Sequence, residues 1–353
     1  MGMTMRADLS FYDGKKVFIT GHNGFKGAWM CSILADVGAD VCGLSMPCTD
    51  ESAFRVMGLD KKVRSICCDI SDTEKVADAV SAFCPDVVIH MAAQPIVRES
   101  YRDPAGTYRT NVMGTVNILD TVRKCGGVLS VVNVTTDKVY RNVEKSKGYT
   151  EDETLDGNEP YANSKSCSEL VTGAYKRSFF DDLGIPVSTC RAGNVIGGGD
   201  LGKDRIIPDC VRAALQKRPI VLRNPGSVRP YQHVLEPVTA YLLLAAKQSS
   251  NKRLAGCYNV GPDEESTITT QKLAELFCDS WKGTEWEVAE DACGYHEANI
   301  LRLDCTKFKK TFGWSPKWKI EKAVAMTVEW YIARRDGKDM GTFTSGQAEE
   351  FLG

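Results

Sequence analysis

Apolar positions in the first half of the chain follow two alternating rhythms. Lys16-Val-Phe-Ile-Thr20 is a short β-rich run and predicts a strand. Phe25, Trp29, Ile33, Leu34 and Val37 then recur at helical spacing until Gly38. Val41-Cys-Gly-Leu44 and Val63-Arg-Ser-Ile66 read as the second and third strands. The stretch 72–83 is helical, with Val76, Val80 and Phe83 on one face and Pro85 ending it. Asp86-Val-Val-Ile-His90 is a fourth strand, followed by a helix over 104–124 that turns Val112, Val116, Leu119 and Val122 inward. A fifth strand (Ser130-Val-Val-Asn-Val-Thr135), a helix over 162–180 and a sixth strand (Pro186-Val-Ser-Thr-Cys-Arg191) complete the pattern. Strands apolar on both faces, separated by amphipathic helices, mean a parallel sheet covered on both sides. Right-handed crossovers then make it doubly wound.

After residue 192 the rhythm breaks. Gly, Pro and charged clusters become dense, as in Gly197-Gly-Gly-Asp200, Arg223-Asn-Pro-Gly226 and Gly261-Pro-Asp-Glu-Glu265, and two helices stand out near 207–216 and 269–280. The expected fold class is therefore α/β: a doubly wound parallel Rossmann-type sheet with a smaller mixed α/β C-terminal substrate lobe. Residues 1–192 form the dinucleotide-binding part and 193–353 the substrate lobe, with elements shared between them. The C-terminal Gly341-Thr-Phe-Thr-Ser-Gly-Gln stretch is expected to be loosely held.

Composition narrows the function class. The 353 residues, 43% hydrophobic and 25% charged, suit a globular protein of one large or two domains. Lys+Arg 44 against Asp+Glu 46 leaves a net charge of -2, with no basic excess to draw the chain onto nucleic acid. The longest apolar run, Ala240-Tyr-Leu-Leu-Leu-Ala-Ala246, is far short of the roughly 20 residues a membrane span requires. The N-terminus lacks an apolar core after Arg6, so no secretory signal is expected. The 14 cysteines are scattered, with one adjacent pair (Cys67, Cys68) and no Cys-x-x-Cys, which reads as reduced thiols in a cytoplasmic protein. No metal-ligand spacing occurs, so no metal is expected.

Thr20-Gly21-His22-Asn23-Gly24-Phe25-Lys26-Gly27 follows a strand and opens a helix. Glycines at 21, 24 and 27 would let a pyrophosphate approach backbone N–H groups at a helix N-terminus, where Cβ atoms would block it. The acidic residue that usually holds the ribose diol is absent after strand two, where Ser45 stands, so NAD and NADP both remain open on this ground. Asp69 and Ile70, after strand three, can contact adenine, or Asp69 can simply cap a loop.

Tyr161-Ala-Asn-Ser-Lys165 places a phenol and an ammonium one helical turn apart. A nearby ammonium is expected to lower the phenol's pKa, so that Tyr161 can take a proton from a substrate hydroxyl while hydride leaves for a nicotinamide. Strand five runs into Thr136-Asp137-Lys138 at its carboxyl end, where such sheets carry their chemistry. Thr136 can bond the same hydroxyl. Asp137 and Lys138 add an acid and a base that a plain reductase would not need. His22, His90 and His233 read as structural.

These motifs resemble the extended short-chain dehydrogenase/reductases acting on nucleotide sugars, and within them the CDP-glucose 4,6-dehydratases. The resemblance spans about 14–335 and rests on Gly21-His-Asn-Gly-Phe-Lys-Gly27, His90-Met-Ala-Ala-Gln-Pro-Ile-Val-Arg98, Thr136-Asp-Lys138, Asn194-Val-Ile-Gly-Gly-Gly-Asp200, Arg229-Pro-Tyr-Gln-His-Val-Leu-Glu236 and His296-Glu-Ala298. Related dTDP-glucose and GDP-mannose dehydratases have Glu where Lys138 stands, and epimerases usually lack the acid–base pair. Leu201 and Tyr231 depart from the pattern, which has Trp at both.

The resemblance implies bound NAD, held by Gly21, Asn23, Gly24, Phe25, Lys26, Gly27, Asp69, Ile70, Ala92 and Ala93 together with Tyr161 and Lys165. It implies oxidation at sugar C4, loss of the C5 proton and of the C6 hydroxyl as water, and hydride return to C6. Asp137 would protonate the departing hydroxyl. Lys138 would take the C5 proton or only orient groups. A nucleoside diphosphate carries negative charge that Arg205, Arg229, the Asn194 amide and His296 would meet, with Gln94 and Arg98 lining the sugar pocket. The likeness further implies a homodimer or dimer of dimers, in which helices 104–124 and 162–180 pair into a four-helix bundle. It also implies a place on the route to deoxysugars of surface polysaccharides such as lipopolysaccharide O-antigen. A nucleotide-sugar 4-epimerase is the competing reading; it uses Gly21, Tyr161 and Lys165 but leaves Asp137 and Lys138 idle.

Overall fold

The computed structural model describes residues 8–145, 147–289 and 301–353. Seven strands form the central sheet: β1 (Lys16–Thr20), β2 (Asp40–Ser45), β3 (Arg64–Cys67), β4 (Val87–His90), β5 (Ser130–Val134), β6 (Val187–Ala192) and β7 (Cys257–Val260). Their order is β7-β6-β5-β4-β1-β2-β3, and every pairing is parallel. The order reverses between β1 and β4, so a crevice opens beyond their carboxyl ends. Register aligns those ends: Thr20 of β1 stands opposite Leu44 of β2 and His90 of β4, and Val134 of β5 opposite Cys190 of β6.

The pleat sends successive side chains to opposite cores. Val17 and Ile19 join one apolar cluster while Phe18 joins the other, and Val132 and Val131 divide in the same way. The helices α1 (Phe25–Asp36), α2 (Thr73–Phe83), α3 (Gly114–Lys124) and α4 (Pro160–Tyr175) cover the sheet. The expected helix over 104–124 is Pro104–Tyr108, a π-helical stretch Arg109–Met113, and α3.

Residue 192 does not bound the sheet. Its seventh strand lies well beyond, delivered by the crossover helix α6 (Leu235–Ser250), which follows α5 (Ile206–Leu215). Between and after these elements the second lobe is built from two-stranded pairs: Val195–Ile196 with Gln232–His233, Val228–Pro230 with Thr267–Thr269, and Ile220–Leu222 with Trp286–Val288. No described helix is long and apolar enough to cross a membrane.

The C-terminal stretch expected to be loose is instead a helix. After α7 (Ile320–Arg335), Asp339 caps α8 (Met340–Leu352) by accepting from Thr342 N at 2.7 Å. Met340, Thr344, Gln347, Ala348 and Phe351 are buried at helical spacing. Trp330 Nε1 donates to Thr344 Oγ1 at 2.8 Å, and Phe351 meets the edge of Trp318 at 5.1 Å. Glycines 341 and 346 suggested a tail, but the apolar period and the cap outweigh them.

Candidate active site

The three glycines of the first turn do different things. Gly21 has φ 75, and a Cβ there would lie 2.8 Å from Ala92 N. A Cβ on Gly27 would lie 2.2 Å from Gly21 O, so α1 rests directly on the strand end. Gly24 caps α1 in extended backbone, and a Cβ there would meet only Gly21 O at 3.4 Å. The turn thus presents the helix N-terminus with no side chain over it, a cradle that fits a pyrophosphate. Asn23 Nδ2 donates to Met46 O at 2.7 Å and ties the turn to the end of β2.

His22, within the turn, ties it to β2 and β3. Its Nδ1 pairs with Ser45 Oγ at 3.0 Å and its Nε2 with Ser65 Oγ at 2.8 Å, and its ring occupies the space a Cβ on Gly43 would need. Burial pushes its pKa down to about 4, so it is neutral. His90 bridges Thr20 and Thr115 in the same way, at 2.7 and 3.1 Å. Thr20 Oγ1 also accepts from Ala92 N at 3.1 Å, which fixes the backbone entering Ala93 and Gln94. Asp69 is exposed and its Oδ1 accepts from Ser71 N at 2.8 Å, a loop cap. Ile70 is buried against Gly114. Neither residue reaches the catalytic cavity described next.

Helix α4 begins with Pro160 in its first turn and Glu159 as cap, whose carboxylate accepts from Tyr161 N at 2.8 Å and Ala162 N at 2.9 Å. That fixes Tyr161 in the first turn and Lys165 one turn behind, where Lys165 Nζ donates to Val134 O at 3.2 Å. The Tyr161 hydroxyl shares a hydrogen bond with Thr136. Thr136 Oγ1 donates to Asp137 Oδ1 at 2.9 Å, and Lys138 Nζ stands 3.6 Å from the same oxygen. Asp137 is buried, and among the described residues its Oδ2, which lies beside Gly193, has no hydrogen-bond partner. One departure from expectation concerns the phenol. Burial, with Asp137 beside it, outweighs the Thr136 hydrogen bond and Arg205 and pushes Tyr161 up to about 12 rather than down, while Lys165 is pushed down to about 7 by burial and by Lys26.

A cavity of about 490 Å³ collects part of this set; Gly21, Gly24, Gly27 and Lys165 do not line it. Phe25, Lys26, Thr136, Asp137, Lys138 and Tyr161 line it from the sheet side. Arg98, Asn194, Arg205 and Arg229 line it as well. Arg229 is nearly buried and donates to Val228 O at 2.9 Å, whereas Arg205 Nη1 reaches both Asp200 oxygens at 3.1 Å. Arg98 Nη1 donates to Asp204 Oδ1 at 3.0 Å. Gln94 does not line the cavity: its Nε2 donates to Thr107 Oγ1 at 2.9 Å and its Oε1 accepts from Ile96 N at 2.6 Å, so its amide braces the loop after β4. His296 lies outside the described residues. Of the two departures from the family pattern, Tyr231 lines the cavity and Leu201 does not.

Sequence reasoning missed Arg223, which lines the cavity and donates to Asp204 Oδ1 at 3.2 Å. Arg223-Asn-Pro-Gly226 stood out only as one of the Gly, Pro and charged clusters, and its charge was left unused. Among the described residues no group of His, Cys, Asp and Glu is placed to hold a metal ion, and every described cysteine is a free thiol.

Comparison with known proteins agrees with this geometry. The family model for GDP-mannose 4,6 dehydratase matches residues 18–327. A CDP-glucose 4,6-dehydratase of Salmonella typhimurium is 41% identical over 352 residues, 98% of each chain. A dTDP-glucose 4,6-dehydratase of Streptomyces griseus is 30% identical, covering 71% of this chain and 73% of the relative. Among solved structures, a dTDP-glucose 4,6-dehydratase from Streptomyces venezuelae with NAD and TYD bound superposes with a TM-score of 0.75 at 26% identity, covering 92% of this chain and 99% of that one. A UDP-glucose 4-epimerase of Thermus thermophilus in complex with NAD gives 0.76 at 26% identity, covering 90% and 99%. With Phe25 and Lys26 of its glycine turn, Tyr161 of its Tyr–Lys helix and its Thr-Asp-Lys turn on one cavity, the chain belongs to the GDP-mannose 4,6 dehydratase family, among the nucleotide-sugar 4,6-dehydratases.

Proposed function

We propose that the protein dehydrates CDP-D-glucose to CDP-4-dehydro-6-deoxy-D-glucose, with NAD as a resident cofactor. The single observation that carries this reading is Asp137: a buried acid with one oxygen unpartnered, paired with Lys138, on the same cavity as Tyr161. An epimerase has a use for the tyrosine but none for that pair, and the fold alone accommodates both reactions. The cytidine nucleotide is supported by the relative at 41% identity.

The dinucleotide, when bound, supplies a site that takes a hydride from the sugar and returns it. The residues do the rest. Tyr161, through the Thr136 hydroxyl and with Lys165 behind it, removes the proton from the C4 hydroxyl. The resulting ketone acidifies C5. Lys138 takes the C5 proton and Asp137 gives one to the C6 hydroxyl as it leaves. The two groups that exchange these protons with the sugar stand 3.6 Å apart. Arg205 and Arg229, with Arg98 and Arg223, supply positive charge for the diphosphate.

Two copies pair, in this reading, through Pro104–Tyr108, α3 and α4 into a four-helix bundle, which would cover Met113 and Leu170, 49% and 58% exposed. The proposed site of action is the cytoplasm, and the product feeds deoxysugars of surface polysaccharides. Incubation with CDP-glucose and NAD tests the activity: a 4-keto-6-deoxy product absorbs near-ultraviolet light in alkali, and an epimer does not. Equal turnover of the dTDP, GDP or UDP sugar would overturn the choice of base.

A further inference from the structure

Helix α4 carries a third ionisable group for which the chemistry above has no use. Glu169 lies one turn beyond Lys165, and its side chain is 1% exposed. Both of its oxygens are engaged. Oε1 accepts from Thr135 Oγ1, and Oε2 accepts from Thr189 Oγ1 at 2.7 Å and from Arg191 Nη2 at 2.9 Å. Arg191 is equally buried and extends the link: its Nη1 donates to Tyr140 OH at 2.8 Å and to Glu151 O at 3.0 Å, and Tyr140 OH donates to Asn259 Oδ1 at 2.7 Å. One carboxylate therefore joins the Tyr–Lys helix to the residue preceding Thr136-Asp137-Lys138, and to β6. Packing alone does not call for this arrangement, since an apolar pair of similar volume stabilises a core as well as a buried ion pair does.

We propose that Glu169 is a positioning residue: held by Arg191, its carboxylate registers Tyr161 and Lys165 against the Thr136-Asp137-Lys138 turn. The role in turnover rests on the dehydratase reading. Lys165 is faced by Lys26 from the start of α1, by His90 from β4, and by Tyr161 and Glu169 on its own helix. Burial and Lys26 favour the neutral amine, His90 is neutral, and Glu169 is the group that favours the ammonium.

The experiment is an NMR titration of the free protein labelled with 13C at lysine Cε, the Lys165 signal being the one lost in Lys165→Met. Glu169→Gln removes the charge and should lower the Lys165 midpoint by about one pH unit or more. Arg191→Met leaves the carboxylate uncompensated and should raise it. A merely structural pair would destabilise both variants and leave the midpoint in place. An unmoved midpoint, or a shift of the same sign in both, overturns the proposal. If Glu169→Gln does not accumulate in soluble form, the sign in Arg191→Met decides. The alkaline limb of kcat on CDP-glucose should move with the midpoint. Midpoints shifted as expected in the two variants, beside a wild-type protein that does not turn over CDP-glucose, would overturn the dehydratase reading and leave the positioning of Lys165 standing.

Discussion

Replacing Gly24 and Gly27 by alanine separates folding from cofactor binding within one turn. At Gly27 the new Cβ lies 2.2 Å from Gly21 O and 2.6 Å from His22 C, all backbone atoms. The turn must then retreat by roughly 1 Å, an overpacking that costs about 1–3 kcal/mol. At roughly 2–4 °C per kcal/mol, the melting temperature should fall by about 2–12 °C. At Gly24 the backbone (φ -74, ψ 175) is open to any residue, and the nearest atom is 3.4 Å away. Alanine there should leave stability unchanged or raise it by about 0.4–1 kcal/mol through the unfolded state. Its methyl group, however, crowds the helix N-terminus that a pyrophosphate must approach, so NAD affinity should fall about tenfold or more, roughly 1.4 kcal/mol. Differential scanning calorimetry of the free proteins and isothermal titration with NAD measure both quantities. A Gly24→Ala variant that binds NAD as the wild type does, or a Gly27→Ala variant with an unchanged melting temperature, would refute the reasoning.

Asp137→Asn should slow loss of water by about 10²–10⁴-fold while exchange of the C5 proton with solvent deuterium continues, read by mass spectrometry. His22, His90 and His233 are held neutral by burial, at about 4, 3 and 3, below the ordinary histidine value. Their contribution is therefore present above pH 6.5 and lost as pH falls, about 2 kcal/mol each by pH 5. Glu236, pushed up to about 7 by burial, acts oppositely and returns about 2 kcal/mol over the same range. Urea unfolding should show lower stability at pH 5 than at pH 7, the three histidines outweighing the raised carboxyl groups, and equal stability at both would contradict the assignment. Phe351→Ala should cost about 3–5 kcal/mol because the ring is buried against Trp318, whereas a loose tail would give no change in calorimetry. Leu170→Glu should convert a dimer to monomers in light scattering with the fold retained by circular dichroism.

The sheet was legible because its strands are apolar on both faces and its helices on one. β7 was not: Cys257-Tyr-Asn-Val260 is four residues among glycines and charges, and only pairing with β6 makes it a strand. The C-terminal helix was hidden by two glycines, although Asp339 and the period from Met340 to Phe351 were present in the sequence. At the site, motif spacing identified the residues that meet at the cavity from the start of α1, the turn after β5 and the start of α4. Residues whose place depends on tertiary contact were harder to read. Gln94 turned out to brace its own loop, and Arg223 reaches the cavity from a Pro- and Gly-containing cluster with no regular period. The direction of the Tyr161 shift was also out of reach, because spacing reports a neighbouring charge but not the burial that opposes it.

The fate of the C4 hydrogen tests the central claim most directly. CDP-glucose carrying deuterium at C4, incubated with the enzyme and NAD in ordinary water, should give a 4-keto-6-deoxy product with the deuterium at C6 of the same molecule and a solvent proton at C5. Deuterium recovered at C4 of an epimerised sugar with its C6 hydroxyl intact, or lost to solvent, would contradict it.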